Sequence, residues 1–313
     1  MEFRKLIKFG NSSYIISVPG SWLKRNQLSK GDVVCLEEEG NSKLIVYSKL
    51  EKEKKEKKIL IDTSGKNLDV IIEEIYRAYT DGVDILSLTG NNIIGLSEGI
   101  RRTINNFVAV EIIEQTSDKI VAKNFLNVDD VKVKDVIRRI DIILRSMLRD
   151  SIGCVGTNSC SAVVQRDVDV NRLCFMLERI LKNAMNNPEI SRKVELSGIR
   201  LLHTWYIVMN LESIGDEVKR IARFLDAIDF NKKQKEELCN LYIDIEKSYL
   251  DVMKAYYKSD KKLAFDVNFR KDELHERCNK FVENSELALV GGMMEKMKAM
   301  VSWIKTISLV AYE

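Results

Sequence analysis

The sequence predicts a multidomain α+β protein. A β-rich N-terminal unit covers residues 1–50, a small α/β domain covers 51–128, and an all-α helical bundle covers 129–313. Three observations predict this. Short β-branched and aromatic runs between turn signals fill the first fifty residues. Strand-like and helix-like segments alternate between residues 59 and 127. From about Val131, apolar residues recur every three or four positions in long runs.

The bulk numbers fit that division. A chain of 313 residues is long for one domain. It has 45% apolar residues, 31% charged residues and two prolines, Pro19 and Pro188, which points to a largely helical intracellular protein. The net charge is +3, so any electrostatic attraction to nucleic acid must be local. The six cysteines make no C-x-x-C pair and the two histidines stand apart, so no zinc site is expected. Arg4 and Lys5 lead straight into alternation, so no signal peptide is expected. No run approaches the ~18 apolar residues of a membrane span, so no membrane insertion is expected. A cytoplasmic location with free thiols is the simplest expectation.

Each element follows in order. RKLIKFG and SYIISVP read as short strands, joined by a small polar turn. SWLKRNQLSKGD reads as a short helix with Ser21 as a possible cap and a turn at Gly31-Asp32. VVCLEEE and KLIVYSK read as a hairpin across Gly40-Asn41. The charged run at 49–59 has no core face and reads as a linker or solvated strand lead-in. In the middle domain, ILID, VDILSLTG, VAVEIIEQ and KIVAKNFL read as strands. LDVIIEEIYRAYTDG and LSEGIRRTINNF read as helices, giving a βαβ-type domain. The Gly- and Asn-rich SLTGNNIIGLSEG lacks the lysine of a P-loop and the spacing of G-x-G-x-x-G, so it reads as a βα turn. The remaining helices are long with short breaks, as in antiparallel bundles. One of them is read as continuous over residues 195–225.

The first 35 residues carry Arg4, Lys5, Lys8, Lys24, Arg25 and Lys30 against Glu2 and Asp32, six basic against two acidic, a net +4. A four-stranded unit of fifty residues buries too little to stand alone, and its own copy is the natural partner. A two-fold dimer would show the basic strand twice on one face, where phosphates bind in a salt-dependent way.

The second cluster lies in NLESIGDEVKRIARFL. Glu212 and Asp216 are four apart and share a helix face. Such a pair needs a neutralising cation, a nearby lysine or arginine, or water. Gly215 between them weakens the helix, which points to close approach of another helix or a ligand. An upstream helix carries Asp167 and Asn171, also four apart, with Asp169 on another face. If the helices are neighbours, Asp167, Asn171, Glu212 and Asp216 converge. Such an oxygen set prefers a hard or borderline ion such as Mg, Mn or Fe. The alternative pairs the acids with Arg172, Arg200 or Lys219 and no metal.

Residues 3–48 resemble the AbrB/SpoVT/MazE-type swapped-hairpin domain. The marks are the basic first strand, the Gly-Asn-Ser turn, the strand ending in Val18-Pro19, the short helix and Gly31-Asp32-Val33. That resemblance implies a dimeric DNA-binding module. It makes Arg4, Lys5, Lys8, Asn11, Ser12, Ser13 and Arg25 the candidate DNA contacts, with Asn11 able to reach a base edge.

Residues 131–313 resemble the PhoU family, built from two three-helix repeats. Asp167 to Leu173 resembles its D-x-x-V-N/D-x-L element. Leu211 to Ala222 resembles its L-E-R-I-G-D-x-x-x-x-I-A element, with Ser213 in place of arginine. The family's E-x-x-x-D acids are metal-cluster ligands, which is what the resemblance implies for Glu212 and Asp216. The second repeat departs from this pattern: Lys271, His275, Ser302 and Thr306 stand where the family has acids.

Both types in one chain resemble archaeal phosphate-uptake regulators. The expected function is DNA-binding transcriptional regulation, with the bundle sensing a metal or a partner. The rival is a regulator that does not bind DNA and instead contacts a phosphate transporter or sensor kinase. A metal-dependent phosphohydrolase is a third reading, but no nucleophile beside a base supports it.

Overall fold

The computed structural model describes residues 3–39, 43–48, 56–155 and 160–312. By its internal contacts the chain divides into two units, residues 1–55 and 56–313. The expected turn at Gly40-Asn41 and most of the charged run at 49–59 lie outside the described residues.

Unit 1 holds two antiparallel hairpins. Strand β1 (Ile7–Phe9) pairs with β2 (Ser13–Ile15), and β3 (Cys35–Glu39) pairs with β4 (Lys43–Tyr47). The two hairpins are separate sheets. Helix α1 (Gly20–Arg25) lies between them. Ser21 does not cap it. The N-cap position belongs to Pro19, whose φ of −58° already starts the turn, and no side chain bonds to the helix end. In the following turn, Asp32 Oδ2 accepts the Ser29 N–H at 2.7 Å. No described residue of this unit is buried.

Unit 2 begins with a four-stranded sheet in the order β5-β6-β8-β7. The strands are β5 (Lys58–Asp62), β6 (Ile85–Thr89), β7 (Val110–Gln115) and β8 (Lys119–Asn124). β5 and β6 run parallel and are linked by α2 (Leu68–Thr80), so the expected βαβ unit is present. β8 is antiparallel to both of its neighbours, so the sheet is mixed. Helix α3 (Ile93–Asn105) starts three residues before the expected Leu96. Ile71 and Ile75 of α2 and Ile100 and Ile104 of α3 share a core with Leu88 and Ile120 of the sheet. Asn92 does not cap α3: its Oδ1 accepts from the buried Thr63 hydroxyl at 2.7 Å and ties the turn to β5.

The rest is helical: α4 (Val133–Cys154), α5 (Ser161–Asn186), α6 (Pro188–Lys193), α7 (Ile199–Ala227), α8 (Lys232–Lys258), α9 (Lys261–Glu283) and α10 (Ala288–Ser308). The starts follow side-chain chemistry. Asn187 caps α6 ahead of Pro188, Asn231 and Gln234 form a capping box on α8, and Asp260 caps α9. The continuous helix expected over 195–225 is interrupted. Gly198 has φ +52°, a left-handed conformation that ends any helix, so α7 starts at Ile199.

Helices α4, α5 and α7 pack on one another, and so do α8, α9 and α10. Contacts of α7 with α10 and of α4 with α8 join the two triplets over one core. This is the two-bundle architecture expected from the sequence.

The α/β domain is fastened to α5. The buried Arg179 donates to the carbonyls of Tyr79 (2.7 Å) and Val83 (2.9 Å) and to Asp84 Oδ1 (3.3 Å). Tyr76 donates its hydroxyl to Glu178, and its ring meets Phe175 edge-on at 4.9 Å. Lys182 bonds Asp81 at 3.1 Å.

The expectation of free thiols fails for one pair. Cys154 ends α4 and Cys160 precedes α5, their Cα atoms are 5.6 Å apart, and the two form a disulfide. Cys35, Cys174, Cys239 and Cys278 are free. No helix among the described residues is long and apolar enough to cross a membrane.

Candidate functional site

Two places collect the residues singled out in the sequence. The first is the β1–β2 hairpin of unit 1. Lys8 lies on β1 opposite Tyr14, Asn11 and Ser12 form the turn, and Ser13 opens β2 opposite Phe9. Arg4 and Lys5 lead into β1, and Arg25 ends α1. All seven candidate DNA contacts are exposed. So are large apolar side chains beside them: Phe9 is 66% exposed, Tyr14 64% and Val33 87%. Strand alternation puts Ile7, Phe9 and Ile15 on one face of the hairpin and Lys8 with Tyr14 on the other. The hairpin therefore has an apolar face and a face carrying Lys8.

The second place is the contact of α5 with α7. Asp167 and Asn171 come from α5, one helical turn apart. Glu212 and Asp216 come from α7. Gly215 permits the approach: a Cβ there would lie 3.2 Å from both Leu144 Cδ2 and Val170 Cγ1. This bears out the close helix approach read from the glycine. Lys219 Nζ sits between the helices, 2.6 Å from Asp167 Oδ2 and 2.6 Å from Asp216 Oδ1. Arg220 takes the other Asp216 oxygen at 2.8 Å and Glu217 Oε1 at 2.7 Å. Asn171 Nδ2 donates to Asp167 Oδ2 at 3.2 Å. Two buried acceptors, Asp167 Oδ1 and Asn171 Oδ1, have no hydrogen-bond partner.

The electrostatics follow from burial. Burial, then the charges of Asp216 and Asp167, push the Glu212 carboxyl up to about 7. Burial pulls the Lys219 ammonium down, but its bonds to Asp167 and Asp216 outweigh that and hold it charged above the ordinary lysine range. Burial raises Asp167 as well, against the opposing pull of Lys219.

As these side chains stand, they do not fit a metal centre. The point where both carboxylates aim holds an ammonium, and the described residues include no cluster of three or more His, Cys, Asp or Glu able to hold a metal ion. Of the three cations weighed as alternatives, Lys219 reaches the acids. Arg200 is exposed at the start of α7, and Arg172 lines a groove with Asp169, Arg139 and Met176. Arg220 was missed. Its signal was present in G-D-E-V-K-R, where positions three and four after Asp216 are both basic.

In the second triplet, His275 Nε2 lies 3.0 Å from the Lys298 carbonyl and 3.3 Å from Ser302 Oγ. That is a helix-packing contact between α9 and α10.

Fold and sites together define a protein with a small hairpin module and a two-bundle helical domain. The comparisons sharpen this. Residues 125–225 match the family model of the PhoU domain, and residues 7–58 match that of Antidote-toxin recognition MazE, bacterial antitoxin. No curated protein and no solved structure matches the chain. The PhoU match takes in α4 to α7, the part where the resemblance to the family is strongest, and leaves α8 to α10 outside. The two matches together support a regulator of the phosphate-homeostasis type.

Proposed function

We propose that the chain is a DNA-binding transcriptional regulator of phosphate uptake, acting as a homodimer. The observation that carries this reading is unit 1 itself. Its described residues include no buried side chain, yet one hairpin offers an apolar face and a face with Lys8. A second copy supplies the missing core by covering Ile7, Phe9 and Ile15. Lys8 on the other face, together with the basic side chains Arg4, Lys5 and Arg25, then meets phosphates in duplicate, while Asn11 at the turn reaches a base edge. The helical domain receives the signal, by contact with a phosphate transporter or sensor protein, and favours one arrangement of the two DNA-binding units.

Fluorescence anisotropy with promoter and random duplexes across a salt series tests this. Four basic positions per chain, doubled in the dimer, predict a log–log slope of up to about −7. Reversing Arg4, Lys5 and Lys8 to glutamate abolishes binding while the dimer persists. Absence of binding even at low salt overturns the DNA reading. It leaves a dimeric regulator that works by protein contact alone.

A further inference from the structure

We infer that Lys219 is the resident cation of the acid cluster between α5 and α7, and that this PhoU-type bundle works without a metal ion there. The argument begins with position. The Lys219 ammonium stands 2.6 Å from one oxygen of Asp167 and 2.6 Å from one oxygen of Asp216. A hard cation shared by two carboxylates lies at similar range, about 2.3–2.6 Å for calcium. Ammonium and metal therefore compete for one point.

The surroundings favour the ammonium. Lys219 is on the same helix as Asp216, three residues on, so its charge is tethered to the site and no loading step is needed. Arg220 takes the remaining Asp216 oxygen, so both oxygens of that carboxylate already meet a cation. Two fixed cations already oppose the three acids Asp167, Glu212 and Asp216. A divalent ion beside them would set like charges within a few ångströms, in a place partly shielded from water. Glu212 forms no ion pair with the ammonium; it feels the charges of Asp216 and Asp167, partly offset by those of Lys219 and Arg220. What remains of a ligand shell is the pair of unpartnered acceptors, Asp167 Oδ1 and Asn171 Oδ1. The second triplet carries Lys271, His275, Ser302 and Thr306 at the corresponding positions, a set without carboxylates.

Removing the ammonium opens the site. In Lys219→Ala, Asp167 and Asp216 keep their aim and the two unpartnered oxygens become available as further ligands. The test uses the full chain, stripped with EDTA and titrated with Mn²⁺ by calorimetry. Elemental analysis of the protein as purified checks for iron. The wild type is expected to bind no stoichiometric Mn²⁺ and to carry no iron. Lys219→Ala is expected to bind Mn²⁺ at least about tenfold more tightly than wild type. Its melting temperature then rises with Mn²⁺ while that of the wild type stays fixed. Stoichiometric Mn²⁺ or iron in the wild type overturns the inference. So does a folded Lys219→Ala that gains no Mn²⁺ affinity. If alanine at this position prevents folding, Lys219→Met keeps the buried stem and is titrated in its place.

Discussion

Unit 1 and the helical domain differ in where their charges and apolar groups go. In unit 1 no described residue is buried, and phenylalanine, isoleucine and lysine share the surface of one hairpin of two three-residue strands. In unit 2 the apolar residues fill continuous cores, and even charges are used internally, as at Arg179 and Lys219. The first is incomplete until something binds it. The second satisfies itself. Stability therefore lives in unit 2, and the proposed recognition falls to unit 1.

The strongest way to break that contrast is to remove an internal charge from unit 2. Arg179 satisfies two backbone carbonyls and Asp84 at the joint between the α/β domain and α5. Arg179→Ala removes one donor from each of these acceptors and takes the guanidinium away from the buried Asp84, and breaking such a buried pair costs about 3–5 kcal/mol. Urea unfolding reads it as a lower midpoint. A loss below about 1 kcal/mol would mean the two parts of unit 2 are held by apolar contact alone.

A smaller effect comes from Glu212. Its native carboxyl titrates near 7, against 4.5 for the free side chain. Between those values the native state keeps a proton that the unfolded chain has released. Stability therefore falls as pH rises through that window and is level above it. Glu212→Gln removes this slope and stabilises the protein at pH 8 by on the order of 1 kcal/mol, since the group is partly open to solvent. Thermal melts across pH check it. A wild-type profile that is flat between about pH 4.5 and 7 contradicts a raised carboxyl.

The sequence carried these two regions unequally. The N-terminal module was legible because its signals are local: Gly-Asn-Ser between strands, Pro-Gly before the helix, Gly-Asp after it. The long helices were legible from their period, and the convergence of Asp167 with Asp216 from matched spacings of four. Period reveals which face of a helix is buried and says nothing of what that face meets. Arg179 finds its partners 95 to 100 residues away, so no local pattern announces it. The break at Gly198 was missed because glycine there adopts positive φ, a choice that composition alone leaves open. The antiparallel setting of β8 depends on strand order, which periodicity does not encode. Cys154 and Cys160 are paired across a spacing of six, which carries no motif for it.

The smallest expected effect on unit 2 gives the sharpest test of the comparison. Ile7→Ser with Phe9→Ser strips the apolar face of the hairpin and touches nothing buried. If that face joins two copies, the dimer weakens by at least about tenfold, or 1.4 kcal/mol, in sedimentation. Thermal unfolding of unit 2 stays within about 0.5 kcal/mol of wild type, as for any exposed substitution away from its core. Lys8→Ala, on the opposite face, leaves the dimer intact and removes two phosphate contacts per dimer, lowering the salt slope by about 2. The two variants separate self-association from DNA contact on one hairpin. If Lys8→Ala instead dissociated the dimer and the apolar variant only lost DNA, the two faces would have exchanged roles. The same hairpin would then bury its charged side between copies, against the cost of desolvating Lys8 twice.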